Sequence, residues 1–248
     1  MTISDESRTR VKGAFEPVAL AMGRAGLTPD ALTVIGFAIT LVGGVLLSQQ
    51  AWLLGGLVVF LGGVFDMFDG TLARATGRVS VLGAFMDSVF DRAGEAVVYV
   101  GLIAGLGASG WADAPIFAGA AMAGAFMVSY ARAKAEGLGF SPGTGMAAVG
   151  VMPREVRLVI LTMGLILGGL ALAAGGPTVA PGGILGAGGA ALPLGILIID
   201  VALAIIAVGA TITVIQRILH VRHQAQHAAA ITPQTPTADG PGNSGEHT

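Results

Sequence analysis

The chain has 248 residues, of which 54% are hydrophobic and only 11% charged, with a mean hydropathy of +0.79. Soluble domains carry roughly 25% charged residues, so this chain has too little charge to cover a globule with water-compatible surface, and a soluble cytosolic domain is excluded. A net charge of −2 and 6% aromatic residues exclude a basic, base-stacking surface for nucleic acid, and the absence of cysteine excludes disulfides and thiolate chemistry.

What remains is an all-α integral membrane protein, in which 40 glycines let helices approach closely. Residues 1–27 form a cytoplasmic N-terminal segment. Arg8, Arg10, Lys12 and Arg24 interrupt any apolar core there, so it does not read as a secretory signal. Val11, Phe15, Val18 and Met22 recur at helical spacing, which predicts an amphipathic juxtamembrane helix on the membrane surface. A transmembrane domain over 28–222 follows. Its six predicted spans are 31–49, 51–75, 81–107, 114–136, 154–175 and 193–219, each near the roughly 20 apolar residues a bilayer requires. The Gly, Pro and Ala-rich segment 176–192 reads as a loop, in part re-entrant, and the polar, aperiodic stretch 223–248 as a disordered tail.

Charge placement sets the topology. The N-terminus, connections 2–3 and 4–5 with the span ends that flank them, and the C-terminal end of span 6 with the tail carry every Lys and Arg except Arg92, which lies inside span 3. Basic residues collect on the cytoplasmic side, so the pattern predicts a multi-pass cell-membrane protein with both termini cytoplasmic.

The acids are placed less ordinarily. Span 2 holds Asp66 and Asp69, and span 3 holds Asp87 and Asp91. A carboxylate at mid-span costs roughly 2.5–3.5 kcal/mol on insertion scales. Each pair shares one helix face, at i, i+3 and i, i+4. In an antiparallel hairpin turning near Gly77 and Arg78, the four lie at two matching depths, about 14–19 Å from the turn along the axes. Four convergent carboxylates call for a divalent cation, and all-oxygen ligation suits Mg²⁺ or Mn²⁺, with two ions balancing four charges. The competing explanation is buried ion pairing with Arg74, Arg78 and Arg92, but three arginines cannot neutralise four carboxylates. Gly70, Ala73 and Gly83 keep the adjoining faces open, and Arg74 puts a cation where it could hold a diphosphate oxygen.

The complete string Asp66-x2-Asp69-Gly70-x2-Ala73-Arg74-x8-Gly83-x3-Asp87-x3-Asp91 resembles the signature of the CDP-alcohol phosphotransferase family without a departure. The resemblance implies six transmembrane helices, a metal site open to the cytoplasm, a homodimer, and transfer of a phosphatidyl group from a CDP-linked lipid such as CDP-diacylglycerol to an alcohol, releasing CMP. It assigns Asp66, Asp69 and Asp87 to the metal, with Asp91 at the metal site and acting as base on the acceptor hydroxyl. It also assigns Gly70, Ala73, Arg74 and Gly83 to nucleotide and diphosphate contacts. Thr28-Pro29-Asp30 with Thr33 is similar to a further family segment bordering the nucleotide pocket, while the same residues also suit a helix N-cap with Pro in the first turn.

Arg132, Arg154, Arg157 and Arg217 lie at the cytoplasmic ends of spans 4, 5 and 6, and convergent cations at a cavity mouth suit a phosphorylated acceptor. Positive-inside anchoring is the plainer explanation for some of them, though Arg154 and Arg157 share one helix face at i, i+3. These stretches resemble the phosphatidylinositol-phosphate synthase branch of the family. They depart from it in the order Arg132-Ala133-Lys134 and at Val156. The resemblance implies inositol 1-phosphate as acceptor, held by Arg132, Arg154 and Arg217 with Arg157 nearby. The alternatives are glycerol 3-phosphate as acceptor, giving a phosphatidylglycerophosphate synthase, or, in a different class, a divalent-cation transporter. A transporter needs polar residues in both membrane halves, and Asp113 is the main charge on the outer side.

Overall fold

The computed structural model describes residues 5–109, 114–140, 145–179 and 192–231. Its helices are α1 (Asp5–Arg24), α2 (Pro29–Ser48), α3 (Trp52–Ala75), α4 (Val81–Ala108), α5 (Ala114–Gly137), α6 (Arg154–Ala173) and α7 (Leu194–Ile231). A 3-10 turn at Met146–Ala148 precedes α6, and the short strands β1 (Thr178–Val179) and β2 (Leu192–Pro193) pair antiparallel before α7. Most of the predicted loop 176–192 and Asp113 lie outside the described residues. Helix α7 runs to Ile231, past the predicted start of the tail at 223. The Ala and Gln residues there favour helix, and His223 and His227, one turn apart, pack edge to face. Residues 232–248 are outside the described part.

Five helices, α2, α3, α5, α6 and α7, are long and apolar enough to cross a membrane. Helix α4 has the length, 28 residues, but carries Asp87, Asp91, Arg92 and Glu95 along its N-terminal part and middle. The helices neighbour one another in the closed order α2–α3–α6–α7–α5–α4, and α1 docks on α3 from outside this ring. The hairpin expected of the second and third spans therefore forms in connectivity but not in packing. Helices α3 and α4 barely touch, because both pack on α2, which lies between them. Glycine makes that wedge possible: a Cβ at Gly101 of α4 would sit 2.2 Å from the Gly44 carbonyl oxygen of α2, and one at Gly62 of α3 would sit 2.3 Å from Thr40 Oγ1. Only without side chains at these points can the backbones come so close.

The ring is sorted by depth. Leu47, Trp52, Val98, Leu102, Leu106, Leu165 and Leu203 belong to one apolar cluster at the end where α2 joins α3 and α4 precedes α5. Asp200 of α7 is an acid in this half too. The carboxylates of α3 and α4 occupy the other half. There α1 packs through Phe15, Ala19 and Met22 against Leu32, Phe68 and Leu72, with the Phe15 and Phe68 rings 5.4 Å apart. The buried stripe is thus rotated from the predicted one. The small Ala19 seats against α3 while Val18 faces outward, 45% exposed. The side chain of Val11 is outside the described part.

Candidate active site

Helix α2 begins with Thr28 as N-cap, its hydroxyl accepting from the Ala31 amide at 3.2 Å, and Pro29 in the first turn. The capping explanation of the Thr28-Pro29-Asp30 segment therefore holds. One turn on, Thr33 is buried, and its hydroxyl donates to Asp69 Oδ2 at 2.5 Å. The other oxygen of Asp69 accepts from the Gly70 amide. Asp69 is thus fixed through both oxygens, a restraint that suits a ligand held in one orientation. Helix α4 is capped by Ser80, whose Oγ accepts from the Gly83 amide at 2.9 Å. A Cβ at Gly83 would lie 3.5 Å from Asp30 Oδ1, and one at Gly70 3.1 Å from Arg74 Nη1. Gly83 of α4 therefore neighbours Asp30 of α2, and Gly70 neighbours Arg74 one turn along α3, in the cleft between α2, α3 and α4.

Across that cleft, Asp66, Asp69 and Asp87 each present a carboxylate oxygen within 4.8 Å of the others. Asp91 falls outside this trio. It pairs with Arg154 Nη2 at 2.8 Å and with Arg92 Nη1 at 3.1 Å, while Arg154 Nη1 also holds Asp66 Oδ2 at 2.9 Å. Of the three arginines considered as internal partners, Arg92 takes that role, and Arg154 of α6 supplies the other cation. Counting Glu95, five acids face Arg92, Arg154 and Arg157 in this region, a deficit of two positive charges. A divalent cation matches both that deficit and the all-oxygen donor set, so the residues fit such an ion.

On the α4, α5, α6 and α7 side of the carboxylates lies a cavity of about 690 Å³, lined among others by Asp87, Asp91, Arg132, Arg154, Arg157 and Arg217. All four arginines singled out for an acceptor phosphate reach it, but they are not equivalent. Arg132 is exposed and pairs with Glu136 at 3.0 Å. Arg217 is 3% exposed, its Nε donating to the Val149 carbonyl at 3.1 Å and its Nη1 to that of Val128. Arg157 is 1% exposed, with Nε and Nη2 on the two oxygens of Glu95 at 2.8 and 2.9 Å and Nη1 on the Met152 carbonyl at 3.1 Å. The shared face of Arg154 and Arg157 holds at the backbone, yet the first reaches the carboxylates and the second is committed to Glu95. Glu95 is the residue that the motif passes over. Its signal in the sequence is that it continues the i+4 series Asp87, Asp91 along α4.

Apolar helices enclosing a carboxylate centre beneath a cation-lined cavity define a membrane-embedded enzyme acting on anionic substrates. The CDP-alcohol phosphatidyltransferase family model matches residues 26–213, and the chain belongs to this family, as a CDP-alcohol phosphotransferase of phospholipid biosynthesis. It is 37% identical over 154 residues to an archaetidylinositol phosphate synthase of Pyrococcus horikoshii, covering 62% of this chain and 77% of that one. To a phosphatidylinositol phosphate synthase of Mycobacteroides abscessus it is 34% identical over 166 residues, covering 66% and 73%. Among solved structures, the Mycobacterium tuberculosis phosphatidylinositol phosphate synthase with CDP-DAG bound superposes with a TM-score of 0.66 at 27% identity, covering 84% of this chain and 92% of that one. The same enzyme in complex with manganese and citrate gives 0.67 at 27% identity, covering 84% and 88%.

Proposed function

We propose that this protein transfers the phosphatidyl group of CDP-diacylglycerol to inositol 1-phosphate, releasing CMP, at a centre that opens to the cytoplasm. The observation that carries this reading is the adjacency of two features: the Asp66, Asp69 and Asp87 trio, and a cavity that Arg132, Arg154 and Arg217 line. The names of the relatives, phosphatidylinositol and archaetidylinositol phosphate synthases, support the choice of acceptor.

Asp66, Asp69 and Asp87 would hold Mg²⁺ or Mn²⁺, with Asp91 completing the site. Divalent cations bound there would neutralise the diphosphate and the departing CMP. Two ions exceed the local charge deficit by two, which the diphosphate of the donor would supply. Thr33 and the Gly70 amide keep Asp69 oriented. Asp30, Gly70, Ala73, Arg74 and Gly83 border the nucleotide side, while Arg132, Arg154 and Arg217 orient the acceptor phosphate. Asp87 and Asp91 are the two acids of the cluster that line the acceptor cavity, so Asp91 takes the proton as the inositol hydroxyl attacks the phosphatidyl phosphorus and the bond to CMP breaks. Six spans, both termini cytoplasmic, α1 at the interface and a homodimer complete the proposal. Helix α4, the third span in chain order, brings the five apolar spans to six because its charges are held inside the ring.

The test is CMP release by the purified protein from CDP-diacylglycerol with Mg²⁺ or Mn²⁺, with inositol 1-phosphate, glycerol 3-phosphate, inositol and serine offered separately. Release with inositol 1-phosphate is expected. Release with glycerol 3-phosphate alone would overturn the acceptor assignment.

A further inference from the structure

Helices α4 and α6 run in the same direction with the two cavities between them, and their backbones make hardly any contact. Two ion-pair rungs span the gap. Asp91 meets Arg154 at 2.8 Å, and one turn deeper along both helices Glu95 meets Arg157 through two parallel hydrogen bonds of 2.8 and 2.9 Å. Behind the carboxylates lies a smaller cavity of about 50 Å³. Asp91, Arg154 and Arg157 line both cavities and so form the wall between them, whereas Glu95 lines only the inner one. Glu95 therefore does not reach the space an acceptor would enter.

A charged pair this deep in a bilayer is a poor source of stability, since well-packed apolar residues in its place are often neutral or stabilising. What it provides is geometry. A bidentate Arg–carboxylate pair fixes distance and orientation together, and here it joins two helices that have hardly any backbone packing directly on one another and are otherwise spaced only through their neighbours in the ring. Arg157 is anchored as well to the Met152 carbonyl just before α6, and the Met152 amide donates to Thr213 Oγ1 of α7 at 2.9 Å. The start of α6, where Arg154 sits, is thereby held from both sides.

We infer that Glu95 is a positioning residue for phosphatidyl transfer: by clamping Arg157 it sets the separation of α4 and α6 and so holds Arg154 over Asp66 and Asp91 and toward the acceptor. This rests on the assignment of Arg154 to the acceptor side of the site. It predicts that disturbing Glu95 degrades use of the acceptor before use of the lipid donor.

The experiment compares wild type, Glu95→Gln, Glu95→Asp and the double variant Glu95→Leu with Arg157→Met, reading the KM of each substrate, kcat and the melting temperature in detergent. Glu95→Gln should raise the acceptor KM about tenfold or more, with the CDP-diacylglycerol KM within about twofold. The double variant, freed of a stranded buried charge, should recover the melting temperature but keep the raised acceptor KM. Glu95→Asp keeps the charge and shortens the clamp. It should raise the acceptor KM as well, and it decides the matter if Glu95→Gln fails to insert. Recovery of both stability and acceptor KM in the double variant would make the pair a stabilising contact only and overturn the inference. So would an unchanged acceptor KM in Glu95→Asp. If wild type turns over glycerol 3-phosphate instead of inositol 1-phosphate, the acceptor assignment fails, and the same comparison run with glycerol 3-phosphate still tests Glu95.

Discussion

Asp69 shows how much of the site depends on single contacts. Its two oxygens are claimed by the Thr33 hydroxyl and the Gly70 amide, with a carboxylate oxygen of each of Asp66 and Asp87 within 4.8 Å. Hydrogen bonds to charged groups are worth about 1.5–3 kcal/mol. Thr33→Val, which keeps the shape and removes the hydroxyl, should therefore raise the Mn²⁺ concentration for half-maximal CMP release about tenfold while the protein inserts normally. An unchanged Mn²⁺ midpoint would remove Thr33 from the account. Asp69→Asn and Asp87→Asn should abolish CMP release altogether, since each removes one charge from the trio proposed to hold a cation. The acids were legible in the sequence because a carboxylate inside a span has no ordinary explanation. The separate fates of Arg154 and Arg157 were not legible. Spacing at i, i+3 gives a common direction but says nothing about which residue of another helix each guanidinium meets, and the pairing of Arg157 with Glu95 depends on how α4 and α6 are placed in the ring.

At the scale of helices, the five long apolar helices follow from hydropathy, and the starts of α2 and α4 and the end of α3 from Thr28, Ser80 and the positive-φ Gly77. Their neighbours do not follow. Connectivity makes α3 and α4 a hairpin, but packing puts α2 between them, and the sign of this in the sequence is diffuse: glycines scattered through a chain that is glycine-rich throughout. Gly101 and Gly119 offer a direct comparison. A Cβ at Gly101 would lie 2.2 Å from the backbone of α2, whereas one at Gly119 of α5 meets nothing within 4 Å. Overpacking of this kind costs about 1–3 kcal/mol. Gly101→Ala should lower the melting temperature in detergent by several degrees, and Gly119→Ala should leave it unchanged or slightly raised. Equal effects of the two substitutions would contradict the wedge arrangement. The C-terminal boundary escaped for a related reason, since a polar stretch without periodicity still continues a helix when its residues favour one and nothing breaks it.

For the molecule as a whole, an apolar half is segregated from a charged half, and the proposed orientation has substrates enter from the charged side. A chain without cysteine is suited to testing this by substitution. Cys placed at Gln49, in the α2–α3 connection, should react with an impermeant maleimide in intact cells, and Cys at Val79, which is 68% exposed in the α3–α4 connection, only after permeabilisation. The reverse pattern would invert the proposed orientation. The shortage of charge that excludes a soluble protein thus also concentrates the chemistry, since most of the charge left inside the ring lies on α3, α4 and α6 around a single cleft. The most direct measurement is mass spectrometry of the lipid formed when purified protein in liposomes receives CDP-diacylglycerol, inositol 1-phosphate and Mn²⁺. The account predicts phosphatidylinositol phosphate in equal amount to CMP, and neither product with Asp87→Asn. Inositol 1-phosphate left intact while CMP is released, or a product that persists in Asp87→Asn, would contradict it.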